Sequence, residues 1–171
     1  MRLPTAAIKM KKFIFDTNIS DRMVDGEIKM EEINLKSEGK SFKYFATHLQ
    51  MDEISKCKNV ERRTKLIEIF NKIGQEEIPT ESFVIGYSRL GMAKLGDGLI
   101  LEELRQGNLK NTEDALIGEV AIKQKLALVS EDEKFRKRVI KKVGIAISIN
   151  EFKILLKWDS RIHLLSELLE L

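Results

Sequence analysis

Cysteine is almost missing from this chain: Cys57 is the single one among 171 residues. One thiol excludes an intramolecular disulfide. With two histidines besides, His48 and His163, no Cys/His cluster offers a zinc site. Proline is equally scarce at two residues, while hydrophobic residues reach 43%, so the chain reads as globular and not as disordered. No apolar run approaches the roughly 20 residues needed to cross a bilayer, and the N-terminus lacks the apolar core of a signal peptide. The expectation is a soluble, cytoplasmic protein with no membrane partner. A strong excess of one charge is missing too: the formal net charge is +3, too small to announce a nucleic-acid binder. No Ser-His-Asp or Cys-His arrangement suggests itself. Glycines 86, 91, 96 and 98 do not form the GxxxxGK[ST] loop that cradles phosphates.

What is present is an alternation of apolar strands and amphipathic helices in a length that suits one domain. Residues 12–16 are apolar almost throughout, as expected of a central parallel strand. The mixed stretch 19–42 reads as a short helix and a loop, and Lys43–Thr47 as a second strand. Helices follow over 48–56 and 60–73, the second with Leu66, Ile69, Phe70 and Ile73 at helical spacing. Cys57 reads as an ordinary helix residue. Residues 75–98 admit a short strand around Phe83–Ile85, a loop or the start of a helix, with Asp97 as a turn residue. Further on come a helix over 99–106, stopped by Gly107, and one over 113–124, capped by Asn111 or Thr112. A strand at 126–129, a helix over 132–142, a strand at 144–149, and helices over 150–157 and 160–170 close the chain. The alternation predicts an α/β fold, a three-layer α/β/α sandwich with a mainly parallel sheet.

In that fold four acidic residues, Asp16, Glu53, Asp114 and Asp132, stand where strands end or the next helices begin. The carboxyl edge of a parallel sheet is where such folds place their ligands. Carboxylates gathered there repel one another and call for a cation, a hard divalent ion best of all. Each has an ordinary explanation as well. Asp114 and Asp132 fall in first turns, where the helix dipole favours a negative charge, and Ser130 and Glu133 have the spacing of a capping box. Asp16 is harder to dismiss, because ending a buried strand on a charge costs stability without a partner. Two basic clusters, one over Lys56–Lys65 and one over Lys134–Lys142, read either as solvated helix faces or as contacts for a polyanion.

The order of these features resembles the PIN-domain family of metal-dependent nucleases, which includes the VapC-type toxins. The resemblance rests on Asp16-Thr17-Asn18 after an apolar strand, an acid opening the second helix, Asp114-Ala-Leu-Ile, and Ser130-x-Asp132 before Phe135. It runs from about Lys12 to Ile149. It implies a single PIN-like domain hydrolysing RNA, with magnesium or manganese held by Asp16, Glu53, Asp114 and Asp132 and with Asn18 and Ser130 supporting them. For toxin-type members it also implies an antitoxin protein as partner. Two features depart from the pattern. Asp52 and Glu53 compete for one role, which adjacent helix positions about 100° apart cannot share; the family pattern favours Glu53. The stretch 75–110 is richer in glycine than the usual linking helices. The competing expectations are a catalytically silent PIN-like scaffold for RNA or protein, and a magnesium-binding receiver-type signalling domain. The leucines of 162–171, and the C-terminal helices 150–171 generally, read either as core or as a homodimer contact.

Overall fold

The structure, a computed structural model, describes residues 11–38 and 41–157. Five strands form one all-parallel sheet in the order β3-β2-β1-β4-β5. They are β1 (Lys12–Phe15), β2 (Lys43–Ala46), β3 (Glu76–Glu77), β4 (Ala127–Val129) and β5 (Ile145–Ile147). The helices are α1 (Thr17–Val24), α2 (Met30–Glu38), α3 (His48–Ser55), α4 (Val60–Lys72), α5 (Leu99–Arg105), α6 (Thr112–Lys123) and α7 (Glu133–Lys141), followed by helical residues 149–157. Among the described residues no helix is long and apolar enough to cross a membrane.

Strands β1, β2, β4 and β5 are apolar on both sides because both faces of the sheet are covered there. Phe13, Phe15, Tyr44, Ala127, Val129 and Ile147 point to one face, where they pack with Ile19 and Met23 of α1, Ile33 of α2 and Phe152 of the last helix. Phe152 is central there, lying 5.2 Å and 5.3 Å, edge-on, from the rings of Phe13 and Phe15. Ile14, Phe45, Leu128 and Ala146 point to the other face, against Leu49 of α3, Leu101 and Leu104 of α5, the apolar side of α6, and Phe135 and Val139 of α7. The expected three-layer α/β/α sandwich is what forms. Ala115, Leu116, Val120 and Ala121 lie in the core, as their spacing predicts.

Four local readings need correction. The stretch 19–42 holds two helices, not one. In α2 the buried described side chains are Ile33 and Lys36, and one apolar anchor carries no readable period. Cys57 lies in the turn between α3 and α4, where its thiol donates to the Asn59 carbonyl at 3.6 Å. The edge strand is Glu76–Glu77, paired with Phe45 and Ala46, and Phe83–Ile85 is not a strand. Two exposed glutamates have no strand signature of their own; the free edge of β2 recruits them. Helix α6 begins at Thr112 without a side-chain cap from Asn111, whose amide donates to the Arg105 carbonyl instead.

The glycine-rich stretch before α5 is an ordered loop pinned onto α6. Ser82 donates to the buried Glu119 at 3.0 Å, and Lys94 pairs with Glu81 at 2.8 Å. Gly96 packs so tightly that a Cβ there would sit 2.3 Å from the Glu81 carbonyl oxygen, which excludes any side chain at that position. Asp97 accepts from the Leu99 N–H at 3.2 Å, the turn role expected of it.

Candidate functional site

The chain passes from β1 outward to β2 and β3 on one side and returns to β4 on the other. The order therefore reverses between β1 and β4, and the crevice beyond their carboxyl ends is the place such a sheet offers a ligand. The register sets Phe15 beside Val129, so the next residue of each strand, Asp16 and Ser130, become neighbours. The Asp16 N–H still reaches the Val129 carbonyl at 2.9 Å.

Asp16 occupies the N-cap position of α1 but makes no side-chain cap bond. Its carboxylate turns to the crevice instead, where Oδ2 accepts from Ser130 Oγ and from Asn18 Nδ2, both at 2.6 Å. Ser130 Oγ in turn accepts from the Asp132 N–H at 3.0 Å, and Asn18 Oδ1 accepts from the Glu131 N–H at 3.2 Å. The capping box expected between Ser130 and Glu133 is absent. The N-cap of α7 is Asp132, whose Oδ1 accepts from the Phe135 N–H at 2.9 Å, while Glu133 pairs with Lys137. The Ser130 hydroxyl donates to the Asp16 carboxylate, and its oxygen accepts from the Asp132 N–H in place of the Glu133 N–H that a capping box would use.

Asp16 is 6% exposed, and burial pushes its carboxyl up to about 6; the Ser130 hydrogen bond opposes this, and the charges of Glu53 and Asp132 add to it. Asp114 rises to about 7, first through burial and then through the charge of Asp16, against the pull of Arg138, with Asp132 and Glu53 raising it further. Asp16, Glu53, Asp114 and Asp132 thus share one electrostatic neighbourhood, brought together from four parts of the chain. They do not form a closed cage: among the described residues no group of three or more His, Cys, Asp or Glu side chains is spaced to hold a metal ion.

No protein-family model and no curated protein sequence matches the chain. A solved structure does, that of VapBC2 from Rickettsia felis bound to a DNA fragment from their promoter. The match has a TM-score of 0.51 and 20% identity, over 80% of this chain and 98% of that chain. The likeness is one of fold.

Two supporting side chains carry weaker signals in the sequence. Gln50 Nε2 donates to the Phe15 carbonyl at 3.1 Å, and its Oε1 accepts from the Thr47 N–H at 2.9 Å, tying α3 to the end of β1. The Thr47-x-x-Gln50 spacing is that of a capping box. Arg138 lies 3.5 Å from Asp114, a contact that nothing in its local sequence announces. His48 is buried, with Nε2 at 3.2 Å from the Tyr87 carbonyl oxygen. His163 and the leucines of 162–171, with the homodimer reading placed on them, lie outside the described residues.

The competition within α3 has a structural counterpart. Asp52 is engaged in a salt bridge to Arg89 at the loop. Glu53 is exposed, and its charge acts on both Asp16 and Asp114. Glu53→Gln should therefore reduce any activity of the cluster by about 100-fold or more, the range for a removed group that stabilises a transition state. Asp52→Asn should stay within about three-fold, as expected for an exposed ion pair. Initial rates of the two variants on one RNA substrate check this; the reverse order would assign the role to Asp52.

Proposed function

We propose that the chain is a divalent-metal-dependent ribonuclease of PIN-like fold that hydrolyses RNA phosphodiester bonds at the carboxylate cluster. The observation that supports it best is Asp16, a carboxylate 6% exposed at the switch point of the sheet. It is spared from capping its own helix and held by Ser130 and Asn18 instead. Such a charge is costly where it stands, and three more acids raise the cost. A cation removes that cost, and an all-oxygen donor set of carboxylates suits magnesium or manganese. Asp16, Asp114, Asp132 and Glu53 would hold the ion once their side chains turn toward it, since as they stand no three of them are spaced for one. A divalent ion there supplies Lewis-acid chemistry, making water a better nucleophile and offsetting charge on a phosphodiester.

The chain's own contribution is positioning. Ser130 and Asn18 fix the direction in which Asp16 faces. Arg138 holds Asp114. The Phe135 N–H holds Oδ1 of Asp132 at 2.9 Å and so fixes that carboxylate at the start of α7. Thr47 and Gln50 lock the helix that carries Glu53 onto the end of β1. An antitoxin protein as partner belongs to the same proposal and is supported by the likeness in fold to a chain of VapBC2.

Purified protein with manganese should cleave single-stranded RNA, and EDTA should stop it. Folded protein inactive with both magnesium and manganese would favour the silent-scaffold reading. The receiver-type reading finds less support, because such doubly wound domains have the order 2-1-3-4-5, whereas here β4 lies beside β1.

A further inference from the structure

The two basic clusters fold into different environments. In the first, Arg62 of α4 bridges to Asp21 at 2.7 Å and Asp25 at 3.2 Å, Lys56 to Glu113 at 2.6 Å, and Lys65 to Glu61 at 2.8 Å. Three of its five cations are thus matched, and Lys58 and Arg63 form no ion pair among the described residues; in the second cluster Lys142 pairs with Glu103 at 2.7 Å. In the second, Lys134, Lys137, Arg138 and Lys141 recur at helical spacing and so form one stripe along α7, about 10 Å long. With Gln106, at the end of α5, they line a groove of about 320 Å³.

Within this stripe Lys137 pairs with Glu133 at 2.6 Å, and Arg138 approaches Asp114 at 3.5 Å. Lys134 and Lys141 are exposed and form no ion pair among the described residues. Arg138 is the rigid member: its side chain is 13% exposed, its guanidinium sits 5.4 Å from the Phe135 ring centre, and its buried Nε has no hydrogen-bond partner. It also joins the stripe to the carboxylate site, because the group it faces there is Asp114.

We propose that this stripe seats the sugar-phosphate backbone of single-stranded RNA and leads the strand to the carboxylate site. The assignment rests on the ribonuclease reading and deepens it. Cations in a row suit a ligand whose charges repeat along a line. At one phosphate per about 3.4 Å of strand axis, a 10 Å stripe lies alongside more than one. A row of cations whose member Arg138 faces Asp114 of the cluster places the strand beside the acids without passing it over them, where like charges would repel it.

The test is binding of a 12-nucleotide fluorescent single-stranded RNA to the full chain by anisotropy, in EDTA and over a range of salt. Lys134→Gln with Lys141→Gln should weaken binding about ten-fold at moderate salt. It should also lower the slope of log K against log[salt] by about 1.4, the value for two phosphate contacts on a single strand. Lys58→Gln with Lys65→Gln, an equal loss of charge on the other cluster, should leave both readouts near wild type. All four residues are exposed, and circular dichroism checks that the variants fold. Equal loss in the two double variants would mean diffuse attraction and overturn the assignment, as would wild-type binding in the first. Polyglutamate displacing the RNA as readily as unlabelled RNA does would overturn the assignment to a phosphate strand. Because binding is read without metal, binding through the stripe by a protein that never cleaves would defeat the ribonuclease reading and leave the stripe standing. Cleavage with the stripe variant unaffected would do the opposite.

Discussion

Asp16→Asn should lose at least about 100-fold in manganese-dependent RNA cleavage, the scale on which a group acting in the transition state is missed, while the protein stays folded. The substitution keeps the shape of the side chain. An amide oxygen can still accept from Ser130 Oγ and Asn18 Nδ2, which hold Oδ2 at 2.6 Å, so the change is one of charge. Asp132→Asn is an equally clean companion, because asparagine caps a helix as well as aspartate does and the bond to the Phe135 N–H can persist. Asp114→Asn should lose activity as well and should release Arg138. Initial rates against labelled RNA at saturating manganese measure all three. Cleavage by Asp16→Asn at the wild-type rate would mean a different site or a contaminating nuclease.

Without metal, the protein should become less stable as pH rises from about 4 to about 7. The sign follows from the direction of the shifts. Asp16 rises from its ordinary 3.8 to about 6, so well below 3.8 the carboxyl is protonated in folded and unfolded chain alike and contributes nothing. Between those values the unfolded chain releases the proton and the folded one keeps it, which favours unfolding. Above about 6 the full effect is present, about 3 kcal/mol for this one group. Asp114, raised to about 7, extends the window upward. Its side chain is 37% exposed, and solvent screening reduces what it adds. Melting temperatures in EDTA at pH 5 and pH 7.5 read the effect, with the lower pH the more stable. Magnesium or manganese should close the gap by stabilising the ionised acids, and Asp16→Asn should remove most of both responses. A melting temperature that rises across this window in EDTA, or one that responds to metal equally in wild type and Asp16→Asn, would defeat the shared site.

Much of this was legible in advance, for reasons of local chemistry. Phe13-Ile14-Phe15 is apolar on both sides because a central parallel strand is covered twice, and that pattern needs no partner to be seen. The spacing of Ala115, Leu116, Val120 and Ala121 marks a buried helix face in the same way. Where the apolar pattern is thin, the reading fails. Helix α2 rests on Ile33, and β3 is two glutamates that owe their strand geometry to the edge of β2. In the site, Asp16 stood out because a charge ending a buried strand has no local excuse. Along the chain Ser130 reads as half of a capping box because Glu133 stands three residues on, at the spacing such a box needs, whereas Asp16 lies 114 positions away.

Local rules along the chain thus decided the elements other than α2 and β3, the α/β alternation, and which acids sit at strand ends and helix starts. The tertiary structure decided what those acids do to one another. The parallel register of β1 with β4 brings Asp16 and Ser130 side by side across 114 positions, and the burial of Asp16 and partial burial of Asp114, with the charges of the exposed Glu53 and Asp132 acting on both, turn four separate carboxylates into one mutually repelling set. Packing likewise separates two basic clusters that look alike in sequence, matching one with acids from α1 and α6 and leaving the other lined along a groove. Pairing and desolvation depend on what lies across the fold, and neighbours along the chain do not carry that information.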